Sequence, residues 1–253
     1  MFQINRHKKI YNYLLDKNNA TVNELAEICD VAPMTIRRDL DKMESDGLIT
    51  RVFGGAVIGS NIVKEIAYEE KEKASINEKI SIASEASKLV SDNSIVLLDS
   101  GTTCMEIARN LIDKSNLKVI TTDILIAAYL MKFKNIEVYC TGGRVQIDIG
   151  CCIDHMAVDY ISKINADICF LGASAINNSL DVSTFTMDKV LIKQAMLKSS
   201  EYRILVADDT KFEKSSFAKI CELTDFNLVI TNKEIKDSLK ETLIENGVSL
   251  QLV

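Results

Sequence analysis

Residues 31–56 read VAPMTIRRDLDKMESDGLITRVFGGA, and this stretch decides how everything before residue 59 folds. Pro33 suits the first position of a helix and Gly47 suits its C-terminal cap. At 100° per residue, Ile36, Leu40 and Met43 cluster within about 60°, a stripe fit for burial. Thr35, Arg38, Asp41, Lys42 and Ser45 fall on the opposite side, with Arg37 on the flank. The following LITRVFGGAVI reads as two short strands around a Gly54–Gly55 turn. Working outward, a helix over Arg6–Leu15 carries Ile10 and Leu14 on one face. A further helix opens with a Thr21/Glu24 capping box and buries Val22, Leu25 and Ile28 or Cys29. The last helix of such a bihelical unit, presenting arginines outward, suits a DNA major groove. Arg37 and Arg38 can pair with guanine edges, Thr35 and Lys42 can hold phosphates, and Arg51 sits on a wing beside the backbone. The competing reading is a trihelical module whose charged face is merely solvated.

Charge supports a division. The chain has 253 residues and a formal net charge of −6, yet residues 1–58 hold eight Lys/Arg against eight Asp/Glu. The whole deficit lies in residues 59–253, so phosphate contact is expected from the first part alone. An apolar share of 47 % supports a sizeable core, and one proline with 26 % charged residues argues against disorder. No signal-peptide pattern opens the chain, and the longest apolar run, 124–131, is too short to span a bilayer. A soluble cytoplasmic protein with no membrane partner is expected. Seven cysteines without a C-x-x-C pair, beside two histidines, predict reduced structural thiols and neither a metal nor a cofactor.

Residues 59–77 are polar and charged and read as a connector, partly helical, between a domain at 1–58 and one at 78–253. A Ser75/Glu78 capping box is expected to start the next helix. From there apolar strands at 94–99, 118–122, 136–141, 167–172, 203–208, 227–231 and 248–253 are separated mostly by amphipathic helices. Strands apolar on both faces imply an α/β fold, Rossmann-like, with a mostly parallel sheet covered on both sides.

Within it, LLDSGTTCMEIA (97–108) runs from a buried strand through a Ser-Gly-Thr-Thr turn into a helix. Helix N-terminal amides beside the hydroxyls of Ser100, Thr102 and Thr103 form a phosphate cradle, and Gly101 permits close approach. A purely structural turn is the alternative. Three more polar strand ends, Thr121–Asp123, Thr141–Arg144 with Gly142 and Gly143, and Ala207–Phe212, suggest one crevice beyond the carboxyl ends of the strands. Arg144 and Lys211 would neutralise phosphate, while Asp99 and Asp123 would accept sugar hydroxyls, unless Asp123 is only a helix cap.

The string from Val31 to Ala56 closely resembles the DeoR-type helix-turn-helix, with TIRRDL on the recognition helix and R-x-x-G-G-A on the wing. The remainder resembles the DeoR sensor domain, akin to ribose-5-phosphate isomerases, at Asp99–Thr103, Thr122–Asp123, Gly142–Gly143, 167–172, 193–196 and 207–212. The resemblance implies a transcriptional regulator of a carbohydrate operon, a repressor by default, that binds operator DNA and a phosphorylated sugar as a homodimer or homotetramer. It also brings Lys193 into the effector site. Asp123 in place of asparagine, Cys104 in place of a hydroxyl and Lys189 in place of glutamate depart from the family pattern. The alternative is a sugar-phosphate isomerase with an appended DNA-binding module. TFTMDKVLIKQAM (184–196) lacks the glycine-rich lysine loop and following glutamate of those isomerases, so no catalytic residue is expected.

Overall fold

The computed structural model describes residues 3–17, 19–45, 48–52, 54–58, 63 and 65–253. The chain divides into two compact units, residues 1–62 and 63–253. In the first, α1 (Gln3–Lys17), α2 (Val22–Cys29) and α3 (Pro33–Ser45) are joined by a three-stranded antiparallel sheet, β1 (Asn19–Thr21), β3 (Gly55–Ile58) and β2 (Ile49–Val52). The expected stripes meet in one core: Ile10 and Leu14, Val22, Leu25 and Cys29, then Ile36, Leu40 and Met43, closed by Ile49 and Ala56. The Thr21/Glu24 capping box forms, with the Glu24 amide 3.2 Å from Thr21 Oγ1 and the Thr21 amide 2.7 Å from Glu24 Oε2. The cap expected at Gly47 lies outside the described residues. Strand β1 was not foreseen, because three residues are too few to show alternation.

The second unit carries a seven-stranded sheet in the order β13-β12-β10-β7-β4-β5-β6. Its strands are β4 (Ile95–Leu98), β5 (Leu117–Thr121), β6 (Ile136–Cys140), β7 (Ala166–Gly172), β10 (Ser200–Val206), β12 (Leu228–Thr231) and β13 (Leu250–Leu252). All six pairings are parallel. These are the seven strands expected from apolar runs. Each face is covered, one by a core that includes Leu97, Cys169, Leu171 and Leu205, the other by one that includes Val96, Leu98, Phe170 and Ile204. A second sheet of β8 (Ala175–Ile176), β9 (Asp181–Thr184) and β11 (Ala218–Glu222) is antiparallel and was not expected, its strands being two to five residues long.

One local reading is corrected. Ser75 does not cap α5 (Ile76–Lys88): it stands at φ +50° with no side-chain capping bond. Within the stretch read as a partly helical connector, α4 (Tyr68–Lys73) is the helical part, and residues from 63 onward cluster with the second unit.

Strand order fixes where a ligand can enter. β4 is followed outward by β5 and β6 on one side, and by β7, β10, β12 and β13 on the other. The order therefore reverses between β4 and β7, and a crevice opens there beyond the carboxyl ends.

In the first unit, a Cβ on Gly55 would stand 2.1 Å from the Ala20 carbonyl oxygen and 2.9 Å from Thr21 Cα, both backbone. Gly55→Ala is therefore expected to force β1 and β3 apart and destabilise this unit by roughly 1–3 kcal/mol. Thermal melting of the full chain, followed through the first unit, checks this, and an unchanged midpoint contradicts it.

Candidate functional site

On α3 the charges sort by direction. Arg37, Arg38 and Lys42 are exposed and Thr35 is half-buried, while Asp39 is buried between them. Asp39 accepts from Arg6 Nε at 2.5 Å and from a second Arg6 nitrogen at 2.9 Å, with His7 Nε2 3.1 Å away. Burial pushes the Asp39 carboxyl up, but Arg6 and His7 outweigh it and hold it below the usual aspartate value. This clamp joins α1 to α3 and sets the angle at which the exposed arginines project. Sequence reading missed it, since an aspartate among arginines looks solvated. Arg51 on β2 pairs with Asp41 of α3, and its amide donates to Glu44 Oε1 at 2.8 Å. The wing is thus tied to the same helix. Arg51 turns first to that helix, in an exposed pair of little intrinsic worth that phosphate can displace.

The crevice of the second unit is a cavity of about 260 Å³. Asp99 ends β4 and Gly172 ends β7. The amide of Gly172 donates to Asp99 Oδ2 at 2.9 Å, and the Lys193 ammonium bonds both that carboxylate and, at 2.9 Å, the Gly172 carbonyl. Lys193 lies on α9 (Met187–Lys198) and is buried, as is Asp99. Asp99 Oδ2 is therefore committed to a lysine, and Asp99 still lines the cavity. Burial lowers the Lys193 pKa, but the Asp99 charge and hydrogen bond outweigh it and hold it above the ordinary lysine value. A raised lysine contributes stability fully below its unfolded pKa and loses it as pH rises through the folded one, so the pair persists throughout the neutral range.

Ser100, Gly101, Thr102 and Thr103 all line the cavity. Gly101 sits at φ +138°, a conformation other residues adopt only with strain, and caps α6 (Thr102–Asn110) without any side-chain bond. Thr102, Thr103 and Cys104 form the first turn of α6, where backbone amides lack an intrahelical partner, and all three line the cavity. Asp123 is fully buried behind the turn. It accepts from Ser100 Oγ and the Gly101 amide at 3.1 Å each, and caps α7 (Ile124–Leu130) at Leu125 and Ile126, 2.8 and 3.2 Å away. Burial raises its pKa against these bonds. The cap reading of Asp123 is correct, and it braces the turn without lining the cavity.

Gly142, Gly143 and Arg144 do not join the site. They follow β6, two strands beyond β4, and strands lie about 4.8 Å apart. Gly142 and Gly143 have φ of +71° and +100°, and a Cβ on Gly143 would meet Asp154 Oδ1 at 2.5 Å. Asp154 also accepts from the Arg144 amide at 2.9 Å, while the Arg144 side chain pairs with Asp188 at the surface. Lys211 does reach the cavity.

The sequence left other cavity residues unread. Lys71, Lys79, Lys189 and Lys214 join Lys193 and Lys211 there, against Glu65, Asp99 and Asp208 as the acidic residues among those described. Lys79 is only 3 % exposed and donates to the carbonyls of Lys71 and Ala74, the latter at 2.5 Å. No carboxylate among the described residues lies in ion-pair range of it, and burial lowers its pKa. The legible signal was periodicity: Lys79, Ile82, Ala83 and Ala86 form one buried stripe, so a lysine occupies an apolar position of α5. Among the described residues, no cluster of His, Cys, Asp and Glu could hold a metal, all seven cysteines are free thiols, and no helix is long and apolar enough to cross a membrane.

Residues 6–61 match the DeoR-like helix-turn-helix domain and residues 74–233 match the DeoR C-terminal sensor domain. The chain belongs to the DeoR family of DNA-binding transcriptional regulators. It is similar to an uncharacterized HTH-type transcriptional regulator of Haemophilus influenzae, 30% identical over 100% of this chain and 98% of that protein. It is likewise similar to the HTH-type transcriptional regulator GolR of Listeria innocua, 31% identical over 100% of this chain and 99% of that one. The glycerol-3-phosphate regulon repressor of Escherichia coli is 28% identical over 100% of both. These relatives are named as regulators, not enzymes.

The buried Asp99–Lys193 pair generates a double-mutant test. Asp99→Asn or Lys193→Met alone strands a buried charge and is expected to cost about 3–5 kcal/mol, whereas the double variant loses less than either. Chemical denaturation of the four proteins checks this, and additive losses contradict it.

Proposed function

We propose that this regulator is a repressor of a carbohydrate-metabolism operon, and that a phosphorylated sugar bound in the second unit changes its operator affinity. The observation that carries the reading is the uncapped α6 N-terminus opening, with Ser100–Thr103, onto a cavity lined by six lysines. Helix N-terminal amides and ammonium groups suit a phosphate dianion and give an uncharged hydroxyl much less. Lys193 and Lys211 supply charge there, Asp99 orients Lys193, and Asp123 steadies the turn. The glycerol-3-phosphate regulon named for one relative supports a phosphorylated carbohydrate as effector. The first unit acts as the DNA reader, with Arg37 and Arg38 on base edges, Thr35 and Lys42 on phosphates and Arg51 on the wing. One such unit contacts few bases, so the protein works as a homodimer or homotetramer on paired half-sites. A sedimenting monomer that fills its operator one to one contradicts that part.

Two substitutions separate the roles. Arg38→Ala is expected to weaken operator binding by about 1–3 kcal/mol while leaving effector affinity unchanged. Gly101→Val, strained at φ +138°, is expected to keep operator binding and lose the effector response. Operator anisotropy and calorimetry with a responding sugar phosphate and its dephosphorylated form check both. Equal affinity for the two forms, or a full response in Gly101→Val, contradicts the phosphate site.

A further inference from the structure

The cavity holds more positive charge than one phosphate takes up. Among its described lining residues, six lysines stand against three carboxylates. A phosphate monoester brings only about −1.5 to −2 near neutral pH. One unit of that excess stands at Glu65, where two lysines face a single carboxylate. There Lys71 and Lys189 both bond the same oxygen of Glu65, Lys71 at 3.1 Å. The other Glu65 oxygen is taken by Gln146 Nε2 at 2.9 Å. Two ammonium groups therefore share one carboxylate oxygen, over a Phe185 ring whose centroid is 5.3 Å from Lys71 and 5.8 Å from Lys189. Burial lowers the Lys71 pKa and nearby Lys189 and Lys211 lower it further, against the opposing pull of Glu65. The Tyr68 hydroxyl, on another residue lining the cavity, is buried with no hydrogen-bond partner among the described residues. Partly desolvated cations with half a counter-ion each are costly, and a second anion relieves that cost.

We propose that the effector is an acidic sugar phosphate, a polyhydroxy carboxylic acid carrying one phosphate, whose carboxylate bridges Lys71 and Lys189. This rests on the reading that the Ser100–Thr103 turn holds the phosphate. With its phosphate fully dianionic, such an acid carries −3 and matches the formal excess, whereas a bisphosphate with both groups dianionic carries −4. The unspent Tyr68 hydroxyl is available to a ligand hydroxyl. Glu65 remains as the partner that keeps both lysines aimed when the cavity is empty of ligand. Its own carboxyl is pushed up by burial but held below the ordinary value by Lys189 and Gln146, so it stays charged at neutral pH.

The test is calorimetry on the full chain with matched probes: gluconate 6-phosphate against glucitol 6-phosphate, and arabinonate 5-phosphate against arabinitol 5-phosphate. Gluconate and fructose 1,6-bisphosphate are the further arms. The acid is expected to bind at least about tenfold tighter than its alcohol in one pair or both. Lys189→Gln, and independently Lys71→Gln, should abolish that preference while leaving affinity for the alcohol phosphate nearly unchanged. Alcohols binding as well as acids overturn the proposal, as do a tighter bisphosphate, no binding of either acid at millimolar concentration, or equal weakening of both pair members in the variants. Gluconate binding as tightly as gluconate 6-phosphate instead refutes the phosphate site and leaves the carboxylate site standing.

Discussion

An ammonium group taken out of water must find an anion, and this constraint organises the second unit. Where the strand order reverses, Lys193 is turned inward from α9 and neutralised by Asp99 at the end of β4. That pair also ties in the Gly172 amide and carbonyl, so the ends of β4 and β7 are held at one spacing. Lys79 enters from α5 under the same constraint but is met only by backbone carbonyls. A dipole lowers the cost of burying a charge without cancelling it. The site is thus built short of negative charge, with the N-terminus of α6 beside it, and the proposed effector would supply the missing anion.

The first unit obeys the same rule with the opposite outcome. Its inward charge, Asp39, is fully met by Arg6 and His7, so α3 is fixed against α1 without needing a ligand. Its outward arginines, Arg37 and Arg38, keep their charge at the surface, where phosphates and guanine edges can reach them. The first unit closes its inward charge by itself, whereas the cavity of the second keeps an excess of lysine that the proposed effector would meet. That asymmetry is what a regulator responding to a small anion requires.

Much of this was legible in the sequence because it rested on periodicity. The stripe Ile36, Leu40, Met43 and the seven apolar strands each repeat a pattern over several residues, and all appear in the structure. The Ser-Gly-Thr-Thr stretch was legible as a strand-to-helix turn, while a purely structural turn reads the same way in sequence. Strand order was not legible, and it decides which strand ends meet. Reading four ends as one crevice therefore carried in Gly142, Gly143 and Arg144, which lie two strands too far along. Charge pairing was hidden for the same reason. The bond between Asp99 and Lys193, 94 residues apart in sequence, is made only by the fold. Glu65 and Lys71 sat in a stretch whose polar composition read as a connector, and only the fold brings them to Lys189.

The central claim is that operator binding is governed by an anion that completes the lysine cavity. Lys79→Met removes the one buried cation there that has no carboxylate partner among the described residues, at similar volume and outside the DNA-reading unit. Operator release, followed by fluorescence anisotropy during titration with a responding sugar phosphate, measures its effect directly. The account predicts near-normal operator affinity for the variant and a release curve shifted to higher effector by about tenfold or more, within the usual range of allosteric coupling. A variant that binds operator and releases it along the wild-type curve would contradict it.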